Sequence, residues 1–166
     1  MLYLEWLGDE LRKIKDDTIR DFVVAGLIKA PNHFWFRSSS SSGKYHLKDE
    51  FIEGGLIKHT KRVCLAAEIL MRASTSSVNQ DVVIAACILH DICKYGDGVI
   101  GTEHTVDNHP QLASKLLREI PTQCSSKELI INAVGRHMGK WGSNKPVTVE
   151  DRVVHLADMI ATNYIP

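Results

Sequence analysis

Apolar residues recur at intervals of three and four along most of this chain, which is the spacing of α-helices with one buried face. Alternating strand patterns and internal repeats are absent from the sequence. Seven segments carry the helical pattern, and their apolar positions run over 4–14, 19–27, 56–70, 82–92, 112–120, 130–137 and 149–160. The sequence therefore predicts an all-α fold, a single-domain helical bundle.

Residues at the segment ends support these helices. Ser77–Gln80 and Ser125–Glu128 have the composition of capping boxes, and Asn108 with Pro110 is typical of a helix start. The segment from Val82 to Ile92 is apolar almost all round, which indicates a central helix. In the last helix, which begins at Thr148 or Glu150, we expect Val149, Val153, Leu156 and Ile160 to point inward.

The helical pattern disappears between residues 32 and 55. This stretch holds three aromatic residues at 34–36 and five serines at 38–42. We expect a long loop here, packed through its aromatic residues and containing at most a short extended pair. Within one domain over residues 1–166, the sequence thus predicts N-terminal helices over 1–31, a loop over 32–55 and a helical core over 56–166.

Length and charge narrow the function classes. A chain of 166 residues can bury roughly 70% of its unfolded surface, so it needs no metal or disulfide for stability. Twenty basic residues balance twenty acidic ones. Long nucleic acid is therefore not an expected substrate.

No apolar run is long enough to span a membrane and the N-terminus lacks the features of a signal peptide, so we expect a cytoplasmic protein without a membrane partner. The four cysteines form no Cys-x-x-Cys pair, and we expect them to be reduced core residues.

Several polar residues fall on apolar helix faces. They are His59, the doublet His90-Asp91, His137 and Asp158. One inward histidine is usually a hydrogen-bonded core residue, but several imidazoles with two carboxylates are harder to explain in that way. A bound divalent cation would neutralise the carboxylates and use the imidazole lone pairs. A mixed nitrogen and oxygen set suits Mn, Fe, Co, Ni or Zn and does not choose among them.

The order of His59, His90-Asp91 and Asp158 in an all-helical chain resembles the defining motif of the HD superfamily of metal-dependent phosphohydrolases. The local strings are similar too: Gly-Gly-Leu-Ile-Lys-His-Thr at 54–60, His-Asp-Ile-Cys-Lys at 90–94 and Leu-Ala-Asp at 156–158. The resemblance covers about residues 44 to 163. It implies that His59, His90, Asp91 and Asp158 hold one metal ion.

Two further histidines extend the resemblance. His109 and His137 lie between the doublet and Asp158, where two-metal members of the superfamily carry two additional histidines. By this resemblance they would hold a second ion, bridged to the first by Asp91. The alternatives are a solvent-exposed helix-start residue for His109 and a substrate contact for His137. The Gly-Tyr-Pro signature of the cyclic dinucleotide subgroup is absent, so that specificity is not implied.

The resemblance implies hydrolysis of a phosphate ester by a metal-activated water. Asp91 and Lys94 are the candidate catalytic residues: Asp91 would orient that water, and Lys94 would hold a phosphate oxygen. The alternative for Lys94 is a solvated surface lysine. Some single-metal nucleotidases of the superfamily have a glutamate shortly after the doublet, and the lysine here favours the two-metal or phosphodiester hypothesis.

We therefore expect a metal-dependent hydrolase with one or two divalent ions and a small phosphorylated substrate, a nucleotide or another phosphodiester. Two alternatives stay open at this point. One is a di-iron oxygenase with the same six ligands, and the other is a metal-bound nucleotide sensor without turnover. The sequence leaves open the oligomeric state, the metal and the substrate.

Overall fold

The computed structural model of this chain describes residues 2–42, 46–98 and 102–162. Within these ranges the chain forms eight α-helices, three short 3₁₀ helices and no strand, which confirms the predicted all-α class. The α-helices are α1 Gly8–Lys13, α2 Asp17–Lys29, α3 Asn32–Phe36, α4 Gly55–Ala73, α5 Gln80–Leu89, α6 His109–Arg118, α7 Lys127–Arg136 and α8 Val149–Ala161. The 3₁₀ helices are Leu2–Leu7, Lys48–Glu50 and Gly139–Trp141.

Helix α5 is the centre of the bundle. Every residue from Val82 to Leu89 is buried, because the other helices surround it: α5 packs against α1, α2, α4, α7 and α8. A helix that is apolar on all sides is stable only in such a position. The predicted central helix is thus confirmed.

The packing of the remaining helices brings distant parts of the chain to the C-terminal end of α5. Helix α4 packs along α8, α6 packs against α7, and α7 also contacts α8. These helices carry the polar residues that the sequence places on apolar faces.

The structure differs from the prediction between residues 32 and 55. Helix α3 and the 3₁₀ turn Lys48–Glu50 lie in the stretch expected to be a loop, and no extended pair occurs in its described part. Helix α3 is only five residues long, too short to show a helical period, and it is held by burial of Phe34 and Trp35.

Two predicted capping boxes are also wrong. The N-cap of α5 is Asn79, whose Oδ1 accepts a hydrogen bond from the Val82 amide at 3.2 Å. Ser126 precedes α7 and makes no side-chain capping bond. The last helix does have a capping box, formed by Thr148 and Asp151.

Helix α8 buries a different face from the predicted one. Leu156 and Ile160 are 47% and 50% exposed, whereas Val153 is buried as expected. Small residues face the neighbouring helices instead: Ala157 and Ala161 are buried, together with Val154 and Asp158. Small side chains permit the close packing of α8 on α4.

All four cysteines are free and buried, as expected. Among the described residues, none of the helices combines the length and the apolar character needed to cross a membrane.

Candidate metal centre

The structure brings the six predicted metal ligands together at one buried place. His59 lies in the second turn of α4, and Asp158 lies on α8, 99 residues further along the chain. His90 caps the C-terminus of α5 and is followed by Asp91. His109 is the first residue of α6, and His137 directly follows α7. All six are less than 8% exposed, so the solvent-exposed alternative for His109 is excluded.

Asp91 lies between two groups of imidazoles. Its Oδ2 is 3.3 Å from His90 Nε2 and 3.8 Å from His59 Nε2. Its Oδ1 is 3.1 Å from His109 Nε2 and 3.6 Å from His137 Nε2. The two oxygens of one carboxylate thus face two separate histidine pairs.

Each histidine pair belongs to a set of donors that could hold one ion. In the first set, Asp158 Oδ1 is 3.1 Å from His59 Nε2 and 3.8 Å from His90 Nε2. In the second set, His109 Nε2 and His137 Nε2 are 3.1 Å apart beside Asp91. Within each set, His59 with His90 and Asp158, or Asp91 with His109 and His137, the ligand atoms lie within 4.8 Å of one another.

The hydrogen bonding of these residues fits a bound cation. His90 Nε2 and Asp91 Oδ1 are buried and have no hydrogen-bond partner among the residues that the structure describes. A buried polar atom left unpaired costs about 1–3 kcal/mol, and it is uncommon in folded proteins. Both atoms point into the cluster, where a divalent cation would satisfy them. The residues present therefore fit a divalent metal ion.

Three of the four histidines are fixed in the same way. The Nδ1 atoms of His90, His109 and His137 each donate to the backbone carbonyl three residues earlier, at 2.7 Å in every case. A histidine whose Nδ1 carries the proton presents the lone pair of Nε2 to a metal. The ring orientation and the tautomer suited to metal binding are thus set by the helix ends themselves.

The charge states of the cluster also suit metal ligands. Burial alone would raise the pKa of Asp91, but the neighbouring His90 and Lys94 hold that pKa well below its usual value. Burial likewise opposes ionisation of Asp158, and the hydrogen bond with His59 outweighs it and lowers the Asp158 pKa. Burial lowers the pKa of His137 to about 3. At neutral pH the carboxylates are therefore ionised and His137 is neutral, as metal ligands must be.

Lys94, the second candidate catalytic residue, lies at the edge of this cluster. Its Nζ contacts Asp91 Oδ2, and its side chain is only 12% exposed. Burial would lower the pKa of Lys94, but Asp91 and Asp158 raise it above its usual value, so the residue stays charged. The structure thus excludes the solvated surface lysine. Arg136, the basic residue before His137, instead forms an ion pair with Asp151 at 2.8 Å.

The sequence did not indicate Glu50. Its side chain is fully buried and accepts hydrogen bonds from His46 Nδ1 at 2.9 Å and from Ser39 Oγ at 3.1 Å. It also forms an ion pair with Arg62. Burial would raise the Glu50 pKa, but the hydrogen bond from His46 and the adjacent His59 imidazole outweigh burial and lower it to about 2. The only signal in the sequence is an acidic pair at 49–50 in a stretch without helical period, which is more typical of an exposed turn.

Comparison with known proteins agrees with this geometry. A family model described as the HD domain matches residues 56–163, a range that contains all six predicted ligands. A dihydroneopterin 2′,3′-cyclic phosphate phosphodiesterase of Methanocaldococcus jannaschii is 29% identical over 119 residues, which cover 64% of this chain and 45% of that protein. The chain thus matches less than half of that relative's length. No solved structure matches the chain at a significant level. Because the family model covers most of the sequence and includes the whole cluster, this chain belongs to the HD domain family.

Proposed function

We propose that this protein is a metal-dependent phosphohydrolase that cleaves a phosphodiester with two divalent ions. The observation that carries the proposal is the position of Asp91, whose two oxygens face two different histidine pairs. A carboxylate in that position is suited to bridge two ions. The phosphodiesterase name of the 29% identical relative supports the same reaction class.

Six residues would hold the two ions. His59, His90, Asp91 and Asp158 would ligate the first, and Asp91, His109 and His137 the second. Nitrogen and carboxylate donors suit Mn, Fe, Co, Ni or Zn. When bound, such ions supply a water of lowered pKa and stabilise the charge that develops on phosphate oxygens.

Two of the protein's own residues, Asp91 and Lys94, would position the reacting groups. Contacts with the histidines and Lys94 hold Asp91 ionised and in place. Its two oxygens are thereby fixed toward the two histidine pairs, where the ions would bind. Lys94 keeps its positive charge at the edge of the cluster, where it can contact a phosphate oxygen. Because the Lys94 side chain is only 12% exposed, solvent screens this charge little, and the charge acts strongly on the transition state.

We propose that a small substrate with a planar ring binds in a cavity whose lining includes Tyr95, the residue after Lys94. The cavity has a volume of about 640 Å³ and is lined by Arg37, four serines of the 38–42 run, Phe51, Tyr95, Glu103 and His104. Tyr95 directly follows Lys94 in the chain, and the proposal requires the substrate to extend from this cavity to the Lys94 ammonium group. Phe51 offers an aromatic face, Arg37 a positive charge and the serines hydroxyl groups. We propose a small cyclic phosphodiester with a heterocyclic ring, a nucleotide or a pterin, as the substrate class.

The reaction class is tested with bis-p-nitrophenyl phosphate and p-nitrophenyl phosphate, assayed side by side with added Mn²⁺. We expect turnover of the diester that EDTA removes and that Asp91→Ala abolishes. Asp107→Asn, which changes an exposed aspartate, should keep full activity. Turnover of the monoester alone would contradict the diester assignment. Metal-loaded protein that consumes dioxygen and cleaves neither ester would instead support the oxygenase.

The substrate class is tested at Phe51. Truncation of a residue on which a ring stacks weakens binding of that ring, so Phe51→Ala should raise KM for 2′,3′-cyclic AMP about tenfold with little change in kcat. KM for bis-p-nitrophenyl phosphate should change less. The neighbouring Ile52→Ala is the control, because Ile52 is 52% exposed and does not line this cavity. Equal effects of the two variants would reject Phe51 as a ring contact.

A further inference from the structure

His59 differs from the other three histidines of the centre in how its Nδ1 is used. The carbonyl three residues before it, Leu56 O, accepts the hydroxyl of Thr60 at 2.9 Å instead. His59 Nδ1 is buried, and none of the described parts of the chain gives it a hydrogen-bond partner. The backbone therefore does not fix the tautomer of His59 as it fixes the other three.

The polar atom that faces His59 Nδ1 is a carboxylate oxygen of Glu50. The distance from Nδ1 to Glu50 Oε2 is 3.6 Å, a few tenths of an ångström beyond a normal hydrogen bond. Both side chains are fully buried, so no bulk water competes for either atom. His59 Nε2 meanwhile points the opposite way, toward Asp158 and Asp91. His59 thus lies between Glu50 on one side and the proposed metal position on the other.

Glu50 is held rigidly where it stands. Ser39 donates its backbone amide to the Glu50 carbonyl at 3.0 Å, and its hydroxyl to the carboxylate. Arg62, one turn after His59 on α4, pairs with Oε1. A Cβ atom at Gly55 would come within 1.9 Å of the Glu50 carbonyl oxygen, so only glycine permits the start of α4 to approach this residue so closely.

We propose that Glu50 is a positioning residue of the metal centre: it accepts the Nδ1 proton of His59 and thereby directs Nε2 to the metal. This rests on the proposed metal-dependent function. A carboxylate behind a ligating histidine fixes its ring and increases its basicity. Glu50 lies before the segment 56–163 that matches the HD domain, so the family match does not include it.

A third metal ion is the competing explanation for the same residues. His46, Glu50 and His59 have ligand atoms within 4.8 Å of one another. The charges oppose it, however, because Arg62 is already paired with this carboxylate, and both His46 and Ser39 bond to the other oxygen. A cation placed there would have to displace these partners. Metal stoichiometry distinguishes the two explanations.

The first test is the Mn²⁺ affinity of Glu50→Gln, measured by competition with a chelator. This variant keeps the shape of the side chain and removes its charge. We expect an affinity about ten- to hundredfold weaker than that of the unchanged protein. Asp49→Asn is the matched control, since Asp49 is an exposed carboxylate that pairs with the same Arg62 at 3.3 Å. It should stay within about twofold.

The second test starts with the unchanged protein, so its first readout does not depend on the folding of a variant. In Zn²⁺-loaded protein labelled with ¹⁵N-histidine, His59 should show a protonated Nδ1 with a downfield proton resonance, and Glu50→Gln should move that resonance upfield. A merely structural role of Glu50 would leave it unchanged.

Three results would overturn the inference. They are an unprotonated Nδ1 on His59 in the loaded protein, equal Mn²⁺ affinity in Glu50→Gln and the unchanged protein, and a third metal equivalent that only Glu50→Gln loses. An unchanged protein that binds no metal at all would instead reject the proposed function, and the role of Glu50 with it.

Discussion

In the proposed reaction, single side chains of this centre serve either the metal ions or the substrate, and Lys94 is the clearest member of the second group. It is the third residue after Asp91 and contacts that carboxylate, yet an ammonium group cannot ligate a metal. A divalent ion would take over the neutralisation of Asp91 and leave the ammonium group free for an anion. We infer that Lys94 serves the phosphate.

Replacement of Lys94 by methionine separates these two roles. Lys94→Met should lower kcat/KM for bis-p-nitrophenyl phosphate by about a hundredfold to a thousandfold, as loss of one charged transition-state contact does. The Mn²⁺ affinity should stay the same or improve, because a positive charge next to the ligands is removed. Kinetics and chelator competition measure the two effects.

The control for this prediction is Lys58→Met on α4, where the residue is exposed and its ammonium group bonds to the Asp49 carbonyl at 3.3 Å. It should behave like the unchanged protein. Loss of metal affinity in Lys94→Met, with activity reduced only in proportion, would show that Lys94 maintains the site and does not contact the substrate.

The sequence indicates these residues unequally. His59, His90, Asp91 and Asp158 stand out because polar side chains interrupt apolar helix faces, and the structure does bring them together. Glu50 does not interrupt an apolar helix face, because the chain around it shows no helical period. Its burial depends on Ser39, Arg62 and the close approach at Gly55, which are contacts that only the folded chain creates.

At the scale of elements, the ends of the helices build the site. His90 and His137 directly follow α5 and α7, and their Nδ1 atoms donate to carbonyls in the last turns of those helices. His109 begins α6, and its Nδ1 donates to the Val106 carbonyl just before that helix. Periodicity predicts the long helices well, because one buried face fixes their pattern. It fails for α3, which is too short, and for the caps of α5 and α7, where several serine or asparagine residues compete for one position.

The start of α8 illustrates an element held by one carboxylate. Asp151 is buried, accepts the Val147 and Thr148 amides at 2.9 and 3.1 Å, and pairs with Arg136 on α7. Burial opposes its ionisation, but these bonds outweigh burial and lower the Asp151 pKa. The ionised form therefore stabilises the folded state and ties α8 to α7.

Asp151→Asn should accordingly destabilise the metal-free protein by about 1–3 kcal/mol at pH 7. A lowered pKa in the folded state means that this stabilisation is complete above the unfolded pKa near 3.8 and disappears as the pH falls through the folded value. The difference between the two proteins in urea denaturation should thus shrink below about pH 4.

Glu128→Gln is the control for Asp151. Glu128 also lies in the first turn of a helix, but its side chain is 66% exposed and its ion-pair partner, Arg118, is 3.9 Å away. Removal of its charge should therefore lower the free energy of unfolding by less than about 0.5 kcal/mol. A destabilisation of Asp151→Asn that persists unchanged at pH 2.5 would mean that packing, and not the charge, holds the start of α8.

At the scale of the whole molecule, the fold serves to collect ligands from distant parts of the chain. Helices α4, α6 and α8 and the ends of α5 and α7 each bring a candidate ligand to one buried place. The buried part of α5 packs against α4, α7 and α8, and α6 packs against α7. The ligands are thus positioned by the core. The sequence predicts the class of the fold and, through the family resemblance, the six candidate ligands and their division around Asp91. The distances that place each Asp91 oxygen beside its own histidine pair come only from the folded chain.

The central claim is that this division holds two metal ions, and metal stoichiometry tests it most directly. After loading with Mn²⁺ and removal of free metal, elemental analysis should find two ions per chain in the unchanged protein. We expect one ion in His137→Ala, which keeps the first set complete, and none in Asp91→Ala, which removes the shared carboxylate. A single ion in the unchanged protein, or two ions retained in Asp91→Ala, would contradict the account.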